Sequence, residues 1–421
     1  MTAADLNRTI AAVWRIESAR LIAALARIVR DIGIAEELAQ DALVAAIEQW
    51  PQAGVPDNPA AWLMSTAKHR AIDKLRRDEL VQRKHVELAH ELESALDDTN
   101  VSTEAALDDP FGDDLLRLVF TACHPVLNTE ARVALTLRLL GGLTTDEIAR
   151  AFLASEPTIA QRIVRAKRTL SEAEVPFEVP RGAELIERLG SVLEVIYLIF
   201  NEGYTATAGE DWMRPQLCEE ALRLGRILVG LMPDEAEAHG LVALMELQAS
   251  RMHARTGPNG EPILLLKQNR ARWDQLLIRR GLKALAFAEK LGGARGRYTL
   301  QAAIAACHAR AREVEATDWA RIAQLYATLA QVAPSPVVEL NRAVAVSMAD
   351  GPRAGLELVD LLVAEPALKS YHLLPTVRGD LLEKLGRNEE ARSEFERAAA
   401  LTRNAREREL LLQRAATASK Q

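Results

Sequence analysis

The chain has 421 residues, which is too long for one ordinary domain and predicts roughly two to four of them. Its 49% of hydrophobic residues can fill buried cores, and its net charge of -7 excludes a uniformly basic nucleic-acid binder, so any DNA contact must rely on local charge. Aromatic residues make up only 4%, while alanine, leucine, glutamate and arginine abound, and this composition favours helices over strands.

The cysteines and the apolar segments argue against a secreted or membrane protein. Three cysteines lie far apart without CxxC spacing, which argues against a disulfide framework and a structural zinc site: Cys123, Cys218 and Cys307. Residues 1–10 lack the pattern of a signal peptide, and the most apolar stretch, 192–200, is too short to cross a bilayer. We therefore expect a cytoplasmic protein with no membrane contact and no metal site.

Apolar residues recur at three- and four-residue spacing in nearly every long segment, and no period-2 strand is evident, so we predict an all-α fold. A first helix extends up to Gly33, a second covers about 35–50 and stops at Pro51, and a third covers about 60–77. The segment 51–59 between the last two is dense in turn-forming residues.

The third predicted helix concentrates positive charge. Leu63, Ala67, Ala71 and Leu75, spaced by four, predict its buried stripe, and its basic residues lie largely off that stripe. Because phosphates respond to nearby charge rather than to the net charge of a chain, this helix is a candidate for DNA contact. A solvated helix face without a ligand fits the same pattern.

Residues 86–114 contain ten acidic residues and no lysine or arginine. This composition predicts an acidic linker that is partly disordered when free. The acids are Glu87, Glu91, Glu93, Asp97, Asp98, Glu104, Asp108, Asp109, Asp113 and Asp114.

Residues 139–170 have the pattern of a helix-turn-helix. Thr144 and Glu147 form a capping box, which predicts a helix from about Thr145. Ser155 can cap the next helix, and Pro157 suits its first turn. From Pro157 to Leu170 this second helix has four basic residues and no acid, the layout of a recognition helix that reads base edges and holds phosphates. An ordinary helical hairpin with a basic face is the alternative.

A break at 175–182 separates these elements from a long helical extension. Its segment 201–204 (NEGY) is interpreted as a loop with Gly203 at the turn, although its polar residues also suggest a ligand site. Residues 371–404, with a turn at Gly386, resemble a tetratricopeptide (TPR) unit of about 34 residues, and 336–368 form a weaker copy. A generic stack of helical hairpins is the alternative.

In this order the elements resemble the sigma-70 family, specifically the extracytoplasmic-function (ECF) sigma factors. Residues 35–50 (AEELAQDALVAAIEQW) resemble the region 2 helix that docks on the clamp helices of the polymerase β′ subunit. Residues 58–77 (NPAAWLMSTAKHRAIDKLRR) resemble the part of region 2 that opens and reads the -10 promoter element. Residues 127–170 resemble region 4, which reads the -35 element.

The resemblance implies three sets of contact residues. The polymerase-facing set is Glu36, Glu37, Gln40 and Asp41. The -10 set is Trp62, Lys68, His69, Arg70, Arg76 and Arg77, in which Trp62 fits either a stacking platform or the core. The -35 set is Thr158, Gln161, Arg162, Arg165, Lys167 and Arg168. His69, where many members have Asn, and Ala160 and Val164, where polar residues are frequent, depart from the family.

The residues 191–212 and the TPR-like C-terminus resemble the ECF group with a large C-terminal extension, which implies control through that extension. The implied partners are core RNA polymerase (β′ clamp helices and β flap), promoter DNA and a regulatory protein on the extension, without a cofactor. The expected domains are 9–80 (region 2), 81–114 (linker), 115–175 (region 4), 183–300 (helical extension) and 301–421 (TPR-like repeats). The resemblance also implies a place for the acidic linker, which in this family threads towards the nucleic-acid channels of the polymerase. There it can occupy a cationic channel by mimicking nucleic acid, or it can be a solvated tether between the two regions.

Two other classes of protein fit parts of the pattern. A stand-alone helix-turn-helix regulator with a TPR sensor domain explains 139–170 but leaves the basic helix at 60–77 unexplained. A TPR scaffold that has lost DNA binding explains only the extension. We expect no enzyme, because the chain has no HExxH, paired-carboxylate or P-loop pattern.

Overall fold

The computed structural model describes residues 3–85, 110–152, 154–206, 208–209, 212–258 and 260–418. The predicted all-α fold is confirmed, since the described residues are almost entirely helical. The chain divides into two compact units, Met1–Val195 and Ile196–Gln421, and the division falls inside helix α8 (Gly182–Tyr204). No helix in the described ranges is long and apolar enough to cross a membrane.

The first unit consists of helices that match the predicted elements closely. Before α8 they are α1 (Ala3–Val29), α2 (Ile32–Ala53), α3 (Pro59–His85), α4 (Pro110–Ala122), α5 (Thr129–Leu139), α6 (Thr145–Ala151) and α7 (Glu156–Glu172). The face of α2 that packs against α1 carries fully buried alanines, among them Ala35, Ala39 and Ala42. Such small side chains let the two helices approach closely, and Ile22 and Leu25 of α1 fill the core.

Helix α2 does not stop at Pro51 as expected. It continues to Ala53, and Gly54, with φ of +83°, ends it by donating its N–H to the Trp50 carbonyl. Proline in a final turn forfeits little of the helical hydrogen-bond ladder, which explains why the helix tolerates it. Helix α3 likewise continues past 77 to His85.

The predicted acidic linker lies mostly outside the described residues. Its last residues, however, belong to helix α4, which begins at Pro110. Asp114 is buried and forms ion pairs with Arg117 at 2.7 Å and with Arg27 of α1 at 3.3 Å. This carboxylate therefore anchors α4 to α1.

The second unit begins with the end of α8 and is a succession of packed helices. They are α9 (Pro215–Leu231), α10 (Ala236–Ala249), α11 (Gln275–Lys290), α12 (Arg297–Arg310), α13 (Trp319–Val332), α14 (Pro336–Asp350), α15 (Pro352–Leu362), α16 (Leu373–Lys384), α17 (Asn388–Leu401) and α18 (Ala405–Ala418). Short 3-10 turns lie between some of them: Met252–Ala254, Leu265–Lys267, Arg270–Arg272, Gly293–Arg295 and Pro366–Leu368. Two short strands, β1 (Ala208–Gly209) and β2 (Arg403–Asn404), pair in parallel.

The predicted C-terminal hairpins are present as helix pairs. Helices α14 and α15 pack together across Gly351, and α16 and α17 pack across Gly386, both glycines having positive φ. Phe395 of α17 is completely buried, and its ring lies 2.8 Å from where a Cβ on Gly379 would be. The assignment of these pairs to the TPR class remains a prediction.

The segment 201–204 is not a loop, as the sequence suggested, but the last turn of α8. Gly203 is buried there because α9 approaches it: a Cβ at this position would lie 2.6 Å from the backbone nitrogen of Cys218 and 2.9 Å from its Sγ. Gly203 therefore allows α8 and α9 to pack closely and does not form a turn.

We predict that Gly203→Ala destabilises the protein by about 1–3 kcal/mol, because backbone atoms must move to accommodate the methyl group. Gly190→Ala in the same helix is the control: nothing lies within 4 Å of its Cβ position, so it should stabilise the helix by about 0.5–1 kcal/mol. Urea denaturation followed by circular dichroism measures both, and equal midpoints for the two variants would contradict the packing argument.

Candidate nucleic-acid interface

Helices α6 and α7 form the predicted helix-turn-helix. The capping box is present, with the Glu147 N–H donating to Thr144 Oγ1 at 3.1 Å and the Thr144 N–H donating to Glu147 Oε2 at 2.8 Å. Ser155 caps α7 by accepting from the Thr158 N–H, and Pro157 lies in the first turn. Ile159 of α7 is fully buried. Local sequence signals therefore define both helix starts.

The outer face of α7 presents part of the predicted -35 set directly. Thr158, Gln161, Arg165 and Arg168 are exposed. Among the described residues Arg165 forms no ion pair, whereas Arg168 pairs with Glu172 of its own helix at 2.7 Å. Thus the first turns of α7 offer a hydroxyl, an amide and an unpaired guanidinium to a ligand.

The other two residues of this set are partly buried and already neutralised. Arg162 forms an ion pair with Glu130 of α5, and Lys167 forms one with Glu36 of α2. Their side chains are 28% and 21% exposed, respectively, so they would have to exchange a carboxylate for a phosphate to contact DNA.

Helix α3 buries Leu63, Ala67 and Ala71 as expected, but the predicted fourth member of the stripe, Leu75, is 38% exposed. On the remaining surface His69 and Arg76 are exposed and Lys68 is half-buried. Arg77 lies within α3, with its side chain outside the described residues. The basic surface predicted for this helix is thus present at the described positions.

Trp62 combines the two roles that the sequence left open. Its ring packs edge-on against the buried Trp50, with 5.4 Å between the ring centroids, yet the residue stays half-exposed. Such a ring is held by the core on one side and remains accessible on the other.

Acids of α2 pair with bases of α3. Arg70 lies 3.7 Å from Asp41, and Lys74 lies 3.9 Å from Glu37. Asp41 and Glu37 are 60% and 72% exposed, so these pairs are weak and easily exchanged. Val44 and Ile47, each 49% exposed, lie further along α2 and were not anticipated. Their spacing of three and six residues after Asp41 is a sequence signal that could have revealed them.

The remaining two residues of the polymerase-facing set lie elsewhere. Glu36 is only 3% exposed, and Gln40 donates its Nε2 to Glu36 Oε1 at 2.6 Å. Arg138 of α5 donates its Nε to Glu36 Oε1 at 2.6 Å, and the Lys167 ammonium contacts Oε2. We call Glu36, Arg138 and Lys167 the Glu36 clasp. It fastens α2 to α5 and α7 through one buried carboxylate.

The adjacent Cys123 and His124 lie in the turn that follows α4. Cys123 is buried with its Sγ 3.4 Å from Thr136 Oγ1, and burial raises the pKa of its thiol to about 11. Burial also lowers the pKa of His124. No described residues form a cluster of three or more His, Cys, Asp or Glu side chains that could hold a metal ion.

The first half of α8 is tied to α4 and to the turn after it. Buried Arg188 donates to the Phe120 carbonyl at 3.2 Å and to Glu184 at 3.1 Å. Ser191 donates to the Cys123 carbonyl at 2.6 Å. The start of the extension is therefore part of the first compact unit.

Known proteins match the two segments of the chain that contain α3 and α7. The family model of sigma-70 region 2 matches residues 15–80, and that of sigma-70 region 4 matches residues 117–170. The ECF RNA polymerase sigma factor SigK of Mycobacterium tuberculosis is 30% identical over 156 residues, which cover 36% of this chain and 78% of SigK. SigK of Mycobacterium ulcerans is 26% identical over 155 residues. This chain belongs to the sigma-70 family and is of the ECF type.

The extension of this sigma factor has relatives as well. A family of unknown function matches residues 188–289. A Rhizobium meliloti protein, named only as uncharacterized, is 45% identical over 387 residues, which cover 91% of this chain and 90% of that protein. The two chains thus share the sigma regions and the extension.

The Glu36 clasp joins the two regions of the sigma factor, since Glu36 lies in region 2 and both cations lie in region 4. Two cations on one buried carboxylate offset its desolvation, and removing the carboxylate leaves them without a partner at that position.

We predict that Glu36→Gln loosens the contact between regions 2 and 4 by about 1–3 kcal/mol. Separation of regions 2 and 4 would expose amide hydrogens of α2 and α7 to solvent. Those that exchange through this separation should exchange roughly 5- to 150-fold faster in Glu36→Gln, as measured by hydrogen–deuterium exchange. Glu37→Gln makes the same chemical change one residue away, at an exposed site, and should have an effect below about 1 kcal/mol. Indistinguishable exchange in the two variants would show that the clasp does not hold the regions together.

Proposed function

We propose that this ECF sigma factor binds core RNA polymerase, recognises the -10 and -35 promoter elements and directs transcription initiation. The observation that carries this proposal is the pair of helices α3 and α7, one in each matched region, which bury an apolar stripe and turn basic side chains outward. A stand-alone helix-turn-helix regulator would leave the region 2 match without a role.

At the -35 element, α7 enters the major groove with its first turns. Thr158, Gln161 and Arg165 are exposed there and suit contacts to base edges. Val164 is 63% exposed on the same helix, and an apolar side chain at this place suits the methyl group of thymine. Arg162, Lys167 and Arg168 then bind phosphates, each in exchange for the carboxylate it now contacts.

At the -10 element, α3 holds unstacked bases of the opened strand. The half-exposed Trp62 provides a stacking surface beside the basic side chains, the combination that single-stranded DNA requires. His69 and Arg76 are exposed, and Lys68 and Arg70 flank them. The Arg70–Asp41 pair at 3.7 Å is exposed enough for a phosphate to replace the carboxylate. Arg77, at the C-terminal side of this surface, completes the proposed set.

The polymerase binds the exposed face of α2. Glu37 and Asp41, with Val44 and Ile47 beyond them, combine negative charge and apolar area, which suits basic clamp helices. Glu36 and Gln40 reach the polymerase only after the Glu36 clasp opens, because both are engaged in it or beside it. We infer that docking of the β′ clamp helices on α2 and of the β flap on region 4 separates the two regions.

The extension controls this activity through region 4 and through a protein partner. Arg188 and Ser191 of α8 hold backbone carbonyls of α4 and of the turn after it, so a change in the extension acts directly on that part of the chain. The helix pairs α14–α15 and α16–α17 offer a TPR-like surface for a regulatory protein. We place the protein in the cytoplasm, where core polymerase works.

Promoter binding tests the assignment of α7. Transcription start sites mapped after overexpression supply the promoter DNA, and run-off transcription with core polymerase establishes the activity. Arg165→Ala should weaken binding of the holoenzyme to that DNA by about 1–3 kcal/mol at fixed salt, because it removes a guanidinium from a base edge.

Arg181→Ala is the matched control, since it removes an exposed arginine that lies outside the region 4 match. It should leave promoter binding unchanged. Equal binding by the wild-type and Arg165→Ala holoenzymes would remove Arg165 from the reading surface, and failure of the wild-type protein to bind core polymerase would refute the proposed function.

A further inference from the structure

The second unit contains a cavity of about 590 Å³ bordered by the end of α8 and by α10, α12, α13 and α14. This volume is typical of sites for small molecules. Four aromatic side chains line it: Tyr197, Phe200, Tyr204 and Tyr326. We call it the Tyr204 cavity.

The polar lining of the Tyr204 cavity consists of hydrogen-bonding groups without negative charge. Its amide side chains are Asn201, Gln248, Gln301 and Asn341. Arg297, which is exposed, also lines it, and none of the described residues that line it is an aspartate or a glutamate. Among the described residues the side chains of Asn201 and Asn341 form no hydrogen bond, so donors and acceptors are available for a ligand.

Two further arginines lie directly behind Tyr204. Arg251 donates to the Tyr204 hydroxyl and, at 2.7 Å, to Gln248 Oε1. Arg255 is 6% exposed, stacks on the Tyr204 ring with 3.6 Å to the ring centroid, and donates to the Tyr204 carbonyl. Neither guanidinium forms an ion pair with a carboxylate in the described part of the chain. Tyr204 therefore lies between the cavity and two guanidinium groups that no described carboxylate neutralises.

A third arginine, Arg270, lies close enough to Arg251 for their charges to interact. Arg270 is 9% exposed and bonds to the carbonyls of His308 and Ala311 at 2.9 and 2.7 Å; Glu315 interacts with it electrostatically without forming an ion pair. Burial, together with the charges of Arg251 and Arg270, lowers the pKa of His308 to about 3, which keeps this ring neutral.

Other arginines of the same unit follow the usual pairing of charges. Arg226 contacts Glu246 at 2.9 Å, and Arg378 contacts Glu394 at 2.9 Å and Asp360 at 2.8 Å. A buried cation is normally stabilised by a carboxylate, and among the described residues Arg251 and Arg255 have none, which is consistent with a ligand that supplies negative charge nearby.

We propose that the Tyr204 cavity binds a small organic anion with a planar aromatic ring. The ring packs among the tyrosines, and the carboxylate or phosphate is held by Arg297 and by the Tyr204 hydroxyl, whose other partner is Arg251. The amides of Asn201 and Asn341 complete the recognition. This site is independent of promoter and polymerase contacts, so its existence does not rest on them.

Fluorescence titration of the full-length protein tests the proposal with two probes of similar shape. The anionic probe is 8-anilino-1-naphthalenesulfonate, and the neutral one is N-phenyl-1-naphthylamine. We expect the anionic probe to bind at one saturable site, and Arg297→Gln to weaken its binding about fivefold while leaving the neutral probe unaffected. Arg295→Gln removes an exposed arginine two residues away that does not line the cavity, and should change neither titration.

Arg251→Gln should weaken binding of the anionic probe more than Arg297→Gln does, because Arg251 is partly buried whereas Arg297 is exposed. If that variant does not fold, judged by its circular dichroism, Tyr204→Phe keeps the ring, removes the hydroxyl and should again weaken only the anionic probe. The proposal would be overturned if both probes bind and none of Arg297→Gln, Arg251→Gln and Tyr204→Phe changes the affinity of either probe.

Competition then identifies the anionic group. Displacement of the bound probe by benzoate supports an aromatic carboxylate, and displacement by phenyl phosphate supports an aromatic phosphate. Failure of both to compete at millimolar concentration would overturn the assignment of the ligand class.

Discussion

The buried carboxylate of Glu36 is the interaction on which the arrangement of the first unit depends. One side chain of region 2 meets two cations of region 4, Arg138 at 2.6 Å and Lys167. A carboxylate that is 3% exposed is costly without such partners, so region 2 and region 4 stabilise each other's charges. The same contact occupies Lys167 of α7, for which we propose a contact to a DNA phosphate. Under that proposal Lys167 either holds the two regions together or binds DNA, and the energy of its contact with Glu36 determines how readily it changes partner.

The distribution of charge follows the same logic in the rest of the chain. The net charge is -7, and many of the described basic side chains form ion pairs with acids; in the first unit these include the proposed DNA contacts Arg70 and Arg162, which pair with Asp41 and Glu130. Exposed pairs of this kind have small net energies, so phosphates can replace the carboxylates. The second unit departs from this pattern around Arg251 and Arg255, where described carboxylates do not balance the charge. The lack of described carboxylates near Arg251 and Arg255 supports the proposed anionic ligand, whereas the paired cations of region 4 support the proposed exchange of carboxylates for phosphates.

Local signals predicted much of the fold and part of the interface. The capping box of Thr144 and the cap at Ser155 could be predicted from the sequence, because their hydrogen bonds join residues three apart in the chain. Leu63 and Ala67 followed from helical spacing for the same reason. The burial of Glu36 could not be predicted from the sequence. Its partner Arg138 is 102 residues away, and no local pattern distinguishes Glu36 from Glu37. Promoter specificity and the role of the extension stay proposals.

The sequence by itself determined the all-α class, the helix-turn-helix, the basic helix α3 and membership of the ECF sigma factors, because these depend on periodicity, capping and the order of motifs along the chain. Only the tertiary structure decided which side chains are available. It buried Glu36, exposed Glu37, and converted Gly203 from an expected turn into a point of close helix contact. It also gathered Tyr204 and Arg297 around one cavity. The physical reason is that burial and ion pairing depend on distances across the fold, which separation along the chain does not specify.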